Sequence, residues 1–185
     1  MTKKPRKIIV VDDNNANLTA CKKILRPDYE VFPAPSAAKM FDLLENIKPD
    51  LILLDVDMED VNGYEAAAKL KENASYSDIP FIFLSGRIDA TSEMFGLNLG
   101  ALDYIHKPFV SDLLLRRIET NLSLIESKKM LEEHSKTEEL SAPLQAIINT
   151  LNTARDTDDP VIIKDHIDKA IDASKQLLTL IEEIP

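Results

Sequence analysis

The sequence predicts a doubly wound α/β domain with a five-stranded parallel sheet, followed by a purely helical segment. Three observations carry this expectation. Apolar runs of strand length alternate with helix-length amphipathic stretches from residue 7 to about residue 110, as in a parallel sheet covered by helices on both faces. All ten Phe and Tyr and all four Gly lie at or before Phe109, and beyond it Leu, Ile, Glu, Lys and Ala dominate. Four polar segments, Asp12-Asp13, Asp55, Ser85 and Lys107-Pro108, each sit at or just past the C-terminal end of an apolar run. In an open parallel sheet those ends share the edge where ligands bind.

Strands are expected at about residues 7–11, 29–33, 51–55, 80–84 and 102–106. Four of them are rich in Ile, Val, Leu or Phe on both faces, as strands between two helix layers must be. Leu18, Cys21, Ile24 and Leu25 mark the first helix, and Ala37, Met40, Phe41, Leu44 and Ile47 the second. A third begins after Gly63, and a weaker fourth covers about 91–98. From Ser111 no Gly or Pro interrupts the chain before Pro143, while Leu114, Ile118, Leu122 and Ile125 continue one apolar stripe. One long helix is expected there, fraying near Lys128–Lys136.

Leu140, Leu144, Ile147, Leu151 and Ala154 then repeat at alternating intervals of four and three. After a turn at Arg155–Asp159, Ile163, Ile167, Ala170, Ser174, Leu177, Ile181 and Ile184 do the same. Asp159-Pro160 is a strong helix start, with Asp as N-cap and Pro at the first helical position. The pattern is a helical hairpin. A lone hairpin cannot cover both its stripes, so two copies are expected to pair as a dimeric four-helix bundle. The chain thus divides into an α/β domain over residues 1–120 and a helical dimerisation domain over 121–185.

Composition narrows the function classes. The single cysteine, Cys21, excludes an internal disulfide. Together with the lack of a signal peptide, this points to a reducing cytoplasm. No apolar run approaches the length that spans a bilayer, and the basic stretch Lys3–Lys7 reads as a solvated leader ahead of a strand. The net charge of −10 divides into −4 over residues 1–120 and −6 over 121–185. Neither part offers the basic surface that nucleic-acid binding needs.

The four polar segments carry chemistry together. Asp55 is a carboxylate nucleophile able to form an acyl phosphate. Asp12 and Asp13 supply oxygen ligands suited to Mg²⁺. Lys107 places a point charge on phosphoryl oxygens, and Ser85 offers a hydroxyl donor. Each segment alone has a plainer reading. Asp13 or Asn14 can cap the first helix, and Asp55 and Ser85-Gly86 can be turn residues. Their joint placement at four strand ends favours a phosphorylation site.

Residues 6–120 resemble a response-regulator receiver domain of two-component signalling, a flavodoxin-like fold. The resemblance rests on V-V-D-D-N (10–14), P-D-L-I-L-L-D-V-D-M (49–58), N-G-Y-E (62–65), I-P-F-I-F-L-S-G (79–86) and G-A-L-D-Y-I-H-K-P-F (100–109). It implies Asp55 as phosphoacceptor. It implies Mg²⁺ held by Asp13, Asp55 and the backbone carbonyl of Asp57, with Asp12 acting through water. Ser85 and Lys107 then read the phosphoryl group, and Tyr104 is the switch aromatic that turns inward as Ser85 moves. The chain departs from the family at Glu59, where Pro is usual. Asp57 and Arg87 occupy two positions that vary in the family and flank the path of attacking water. They suggest an ion-paired gate that slows hydrolysis, against the alternative of a solvated pair of little weight.

Residues 137–147 carry a second resemblance, to the phosphotransfer box of histidine-kinase dimerisation domains. It covers roughly residues 125–184, and Pro143 inside a helix adds to it, since Pro is otherwise disfavoured there. Glu138 stands where the phosphoaccepting His belongs, and Ser141 and Ala142 replace Arg and Thr. The hairpin therefore resembles a degenerate dimerisation module, with no kinase catalytic domain and no Gly-rich nucleotide loop. His134 lies four residues before Glu138 on the same face, either as a displaced phosphoacceptor or as a surface residue. His106 and His166 read as ordinary strand-end and helix-surface residues.

The resulting expectation is a response regulator and not an enzyme, beyond catalysing its own aspartyl phosphorylation. A partner histidine kinase or phosphotransfer protein is expected upstream. A protein target, in one version a histidine kinase, is expected downstream. The alternatives are a phosphorelay phosphotransferase using His134, or the N-terminal part of a hybrid histidine kinase.

Overall fold

The computed structural model describes residues 4–155 and 159–182, apart from the side chains of residues 132–138 and 155. Two compact units divide between Leu124 and Ile125.

The first unit alternates β1 (Arg6–Val11), α1 (Asn15–Leu25), β2 (Tyr29–Ala34), α2 (Ala37–Leu44), β3 (Leu51–Asp55), α3 (Gly63–Glu72), β4 (Phe81–Ser85), α4 (Ala90–Asn98) and β5 (Asp103–His106). α5 (Ser111–Arg155) begins in this unit. The sheet is parallel throughout, in the order β2-β1-β3-β4-β5. Chain order reverses between β1 and β3, which opens a crevice at the C-terminal ends of those strands.

The central strands are apolar because both faces are covered. Ile8–Val11, Leu51–Leu54 and Phe81–Leu84 have no solvent exposure. At about 1.5–3 kcal/mol per fully buried large aliphatic or aromatic side chain, these runs hold the sheet against both helix layers. Leu114, Ile118 and Leu122 on α5 are buried in the same unit, while Arg117 fastens that helix to Asp103 at 2.9 Å.

The helix starts are set by side chains. Asn14 accepts from the N–H groups of Ala16 and Asn17, Ser36 from Lys39, Asn62 from Glu65 and Asp89 from Ser92. Each meets a donor that the first helical turn leaves without a partner. α2 stops at Leu44, short of the apolar position Ile47. Pro49 keeps the residue before it out of helical geometry, so the chain turns between Glu45 and Lys48.

The second unit holds the remainder of α5 and α6 (Pro160–Glu182). The expected fraying near Lys128–Lys136 is corrected: α5 is unbroken there and runs through Pro143. Asp159 Oδ1 accepts the Val161 N–H at 2.9 Å and starts α6. The heptad stripe splits. Leu140, Ile147 and Ala154 on α5 are half-buried, as are Ile163 and Leu177 on α6, and Ala170 is buried. Leu144, Leu151, Ile167, Ser174 and Ile181 from the same stripe are exposed. No helix among the described residues is long and apolar enough to cross a membrane.

Candidate functional site

Each strand end delivers one part of the site. Asp12 and Asp13 follow β1, Asp55 ends β3, Ser85 ends β4 and Lys107 follows β5. These four strands are neighbours in the sheet, so side chains 95 residues apart in sequence meet. The Lys107-Pro108 peptide bond is cis.

Lys107 is the centre of the cluster. Its Nζ lies 2.6 Å from Asp12 Oδ2 and 2.8 Å from Asp55 Oδ1. Asp55 is 4% exposed and Asp12 fully buried. Asp12 Oδ1 accepts the Asn14 N–H at 2.9 Å and the Asn17 side-chain amide at 3.1 Å. Both oxygens of Asp12 are thereby fixed. Asp55 Oδ1 also accepts the Asp57 N–H at 3.4 Å. Among the described residues no donor reaches Asp55 Oδ2, and no buried side-chain oxygen lacks a partner, so Oδ2 is left to face solvent.

The electrostatics follow from burial. Desolvation pushes the Asp55 carboxyl above its ordinary value, and the hydrogen bond and charge of Lys107 pull back only part of that rise. Burial works against the Lys107 ammonium as well, but its bonds to Asp12 and Asp55 outweigh it and hold the Lys107 pKa above the ordinary value. Cys21, buried on α1, is pushed up to about 11 by desolvation and by the charge of Asp12. Such a thiol is inert near neutral pH.

The same side chains suit a hard divalent cation. Carboxylate oxygens of Asp12, Asp13 and Asp55 all lie within 4.8 Å of one another. Oxygen donors of this kind favour Mg²⁺. Three carboxylates face one ammonium, so the local charge calls for a further cation. The residues therefore fit Mg²⁺. Asn14, not Asp13, caps α1. Asp13 instead accepts the backbone N–H of Glu59 on Oδ2 at 2.8 Å.

Asp57 and Arg87 are brought together at the mouth of this cluster. Arg87 Nε and Nη2 both lie 2.8 Å from Asp57 Oδ1. Hydrogen bonding to Asp57 raises the Arg87 pKa. The side chains are 53% and 43% exposed, so solvent screens the pair. Ser85 Oγ is buried, accepts the Arg87 N–H at 3.0 Å and lies 3.5 Å from Asp57 Oδ2. Tyr104 points inward and is 1% exposed.

Four contributors escaped the sequence reading. Tyr64 shares a hydroxyl contact with Tyr104 at 3.2 Å. Asn17 holds Asp12. His106 is more than a strand-end residue: Nδ1 lies 2.8 Å from the Arg87 carbonyl and Nε2 3.5 Å from Glu93. Gly63 packs on the main chain of Asp55, where a Cβ would collide with the carbonyl oxygen and lie 2.9 Å from Val56 Cα. The motif N-G-Y-E was the available signal for Gly63 and Tyr64. The side chains of His134 and Glu138 lie outside the described residues, and His166 is half-buried.

Comparison with known proteins agrees with this geometry. The family described as response regulator receiver domain matches residues 8–119. A probable cyclic di-GMP phosphodiesterase of Vibrio cholerae serotype O1 is 33% identical over 162 residues, covering 83% of this chain and 37% of that protein. That coverage exceeds what residues 1–119 can hold, so the likeness reaches into the helical segment. The response regulator protein GraR of Staphylococcus aureus is 30% identical over 113 residues, covering 60% of this chain and 49% of that protein. The chain spans less than half the length of these two curated relatives. A CheY-like receiver domain structure from Methanospirillum hungatei has 31% identity and a TM-score of 0.62, covering 68% of this chain and 99% of that one. The strand-end cluster, the sheet order and a family match over most of the first unit agree, and the chain belongs to the response regulator receiver domain family.

Proposed function

We propose that this protein is a response regulator phosphorylated on Asp55 by a partner histidine kinase or phosphotransfer protein. Its receiver domain occupies residues 1–120 and controls a helical dimerisation domain over 121–185. The observation that carries this reading is Lys107 Nζ bridging Asp12 and Asp55 beside the three-carboxylate cluster. Asp55 Oδ2 attacks the phosphorus of a phosphohistidine. The oxygen–phosphorus bond forms as the phosphorus–nitrogen bond breaks, and the imidazole leaves. Lys107 sits close enough to steady the negative oxygens of the transferring group. Ser85 Oγ accepts from Arg87 and donates a long bond of 3.5 Å to Asp57 Oδ2, a proton it would redirect to a phosphoryl oxygen. Asp13, Asp55 and the Asp57 carbonyl would hold Mg²⁺, with Asp12 acting through water. When bound, the ion neutralises charge on the transferring oxygens. Asp57 and Arg87 form the gate that slows loss of the acyl phosphate.

The output is a homodimer. The exposed half of the hairpin stripe is what a second copy would cover. Phosphorylation acts on Ser85, Tyr104 and α5 to bias the dimer toward binding a protein target, in one version a histidine kinase. The protein works in the cytoplasm without binding nucleic acid. The decisive experiment maps phosphate and measures molar mass, with and without acetyl phosphate, on wild type and Asp55→Ala. Wild type should carry an acid-stable, hydroxylamine-labile phosphate that Asp55→Ala lacks. Equal labelling of both would reject Asp55 as the acceptor.

A second reading is favoured by the Vibrio cholerae relative, whose likeness continues past the receiver. In it the receiver and its helices regulate cyclic di-GMP turnover. Cyclic di-GMP hydrolysis measured with the full-length native protein separates the two readings.

A further inference from the structure

The polar interior around Tyr104 is more specific than a pocket for an aromatic ring. Tyr64, the second residue of α3, is half-buried and places its hydroxyl 3.1 Å from the Ser92 carbonyl on α4 and 3.2 Å from the Tyr104 hydroxyl on β5. A carbonyl only accepts, so Tyr64 donates to Ser92 and Tyr104 must donate to Tyr64. The chain of bonds therefore has one direction, from Tyr104 through Tyr64 to α4. The Tyr64 ring is fixed edge-on between Phe83 and Phe95, with centroids at 5.1 and 5.0 Å. α4 can approach this closely because Gly96 faces the same rings. A Cβ there would lie 2.9 Å from Phe83 and 3.0 Å from Tyr104.

We infer that Tyr64 is a positioning residue for the switch: its hydroxyl seats Tyr104 inward and ties that rotamer to α4 through the Ser92 carbonyl. The inference rests on the proposed role of Tyr104. A phenylalanine at position 64 fills the same aromatic slot but accepts no proton, so the inward Tyr104 hydroxyl loses its acceptor. A buried hydroxyl without a partner carries a desolvation penalty, and the outward rotamer relieves it by returning the hydroxyl to water. Burial and the bond from Tyr104 both raise the Tyr64 pKa, so the phenol stays protonated and keeps its donor for Ser92.

The test uses the full chain labelled with 3-fluorotyrosine and followed by fluorine NMR, with Tyr104 assigned through Tyr104→Phe. In wild type, Mg²⁺ with beryllofluoride should move the Tyr104 resonance. In Tyr64→Phe the inward-to-outward ratio of Tyr104 should fall by about 2- to 12-fold in both states, the range given by the net worth of one neutral hydrogen bond. Labelling at Asp55 should persist. An unchanged Tyr104 resonance in Tyr64→Phe, in a wild type that does respond, overturns the Tyr64 role and leaves the switch standing. A wild-type Tyr104 resonance that ignores beryllofluoride, in protein that labels at Asp55, overturns the switch and Tyr64's part in it.

Discussion

Glu59 donates its backbone N–H to Asp13 Oδ2 at 2.8 Å. A proline at this position, the residue the sequence resemblance leads one to expect, has no proton to give. Glu59 therefore supplies an orienting bond to a carboxylate of the candidate metal site. Outer-shell partners of this kind change metal affinity by roughly 10–100-fold when removed. Glu59→Pro should weaken Mg²⁺ binding by about 10-fold in isothermal titration, whereas Glu59→Gln, which keeps the N–H, should lose much less. Equal losses in the two variants would assign the effect to side-chain charge.

Asp55 and Lys107 titrate against each other. With burial raising Asp55 and Lys107 holding it down, Lys107→Met should move the Asp55 midpoint further up in a carbon-detected NMR titration without Mg²⁺. Asp55 binds its proton more tightly folded than unfolded. Its ionisation cost to stability is thus absent below the unfolded pKa of about 3.9 and grows as pH rises through the folded value. The raised Lys107 pKa has the same sign of consequence, in an alkaline window. Its ion pairs stabilise the fold fully below about 10.4, and that contribution is lost as pH climbs through the higher folded value. Urea midpoints across pH should show the alkaline loss in wild type and a smaller one in Lys107→Met.

The Asp57–Arg87 pair separates a gate from a decorative contact. Solvent-exposed pairs are weak, which caps the effect on acyl-phosphate lifetime at about 5-fold. Arg87→Ala should shorten the lifetime of the phosphorylated protein within that limit. A lifetime equal to wild type leaves only the solvated pair.

The hairpin makes a prediction about mass. Leu151 and Ile181 are 50% and 49% exposed, so replacing them does not open the hairpin's own core. Leu151→Glu with Ile181→Glu should convert a dimer to a monomer in light scattering while the far-ultraviolet helix signal persists. A monomeric wild type at tens of micromolar would remove the dimer.

Much of the fold was legible because strand burial leaves its mark locally. Ile8–Val11, Leu51–Leu54 and Phe81–Leu84 are apolar on both faces, and the residue that follows each run is forced to the sheet edge. The site side chains were legible for the same reason. What escaped was carried by groups without a residue-type signature. The Glu59 N–H reaches Asp13 across 46 positions, and any residue but proline could supply it. The Tyr64–Tyr104 contact joins two side chains 40 positions apart, which periodicity does not encode. A heptad rhythm selects a stripe but not its division, so Leu140 and Leu144 read alike although one is half-buried and the other exposed. At α2 the apolar rhythm overran the helix, because the backbone restriction before Pro49 outweighed the side-chain pattern at Ile47.

Gly63 brings the start of α3 against the main chain of Asp55, and its N–H is bonded to the Val56 carbonyl at 2.9 Å. Tyr64 is the next residue, and it reaches α4. The strand bearing Asp55 is thus joined to α4 by two separate lines of packed atoms, one through Ser85 and the Arg87 loop, the other through Gly63 and Tyr64. The molecule has built-in redundancy between those elements: cutting one line leaves the other as a short mechanical path between them.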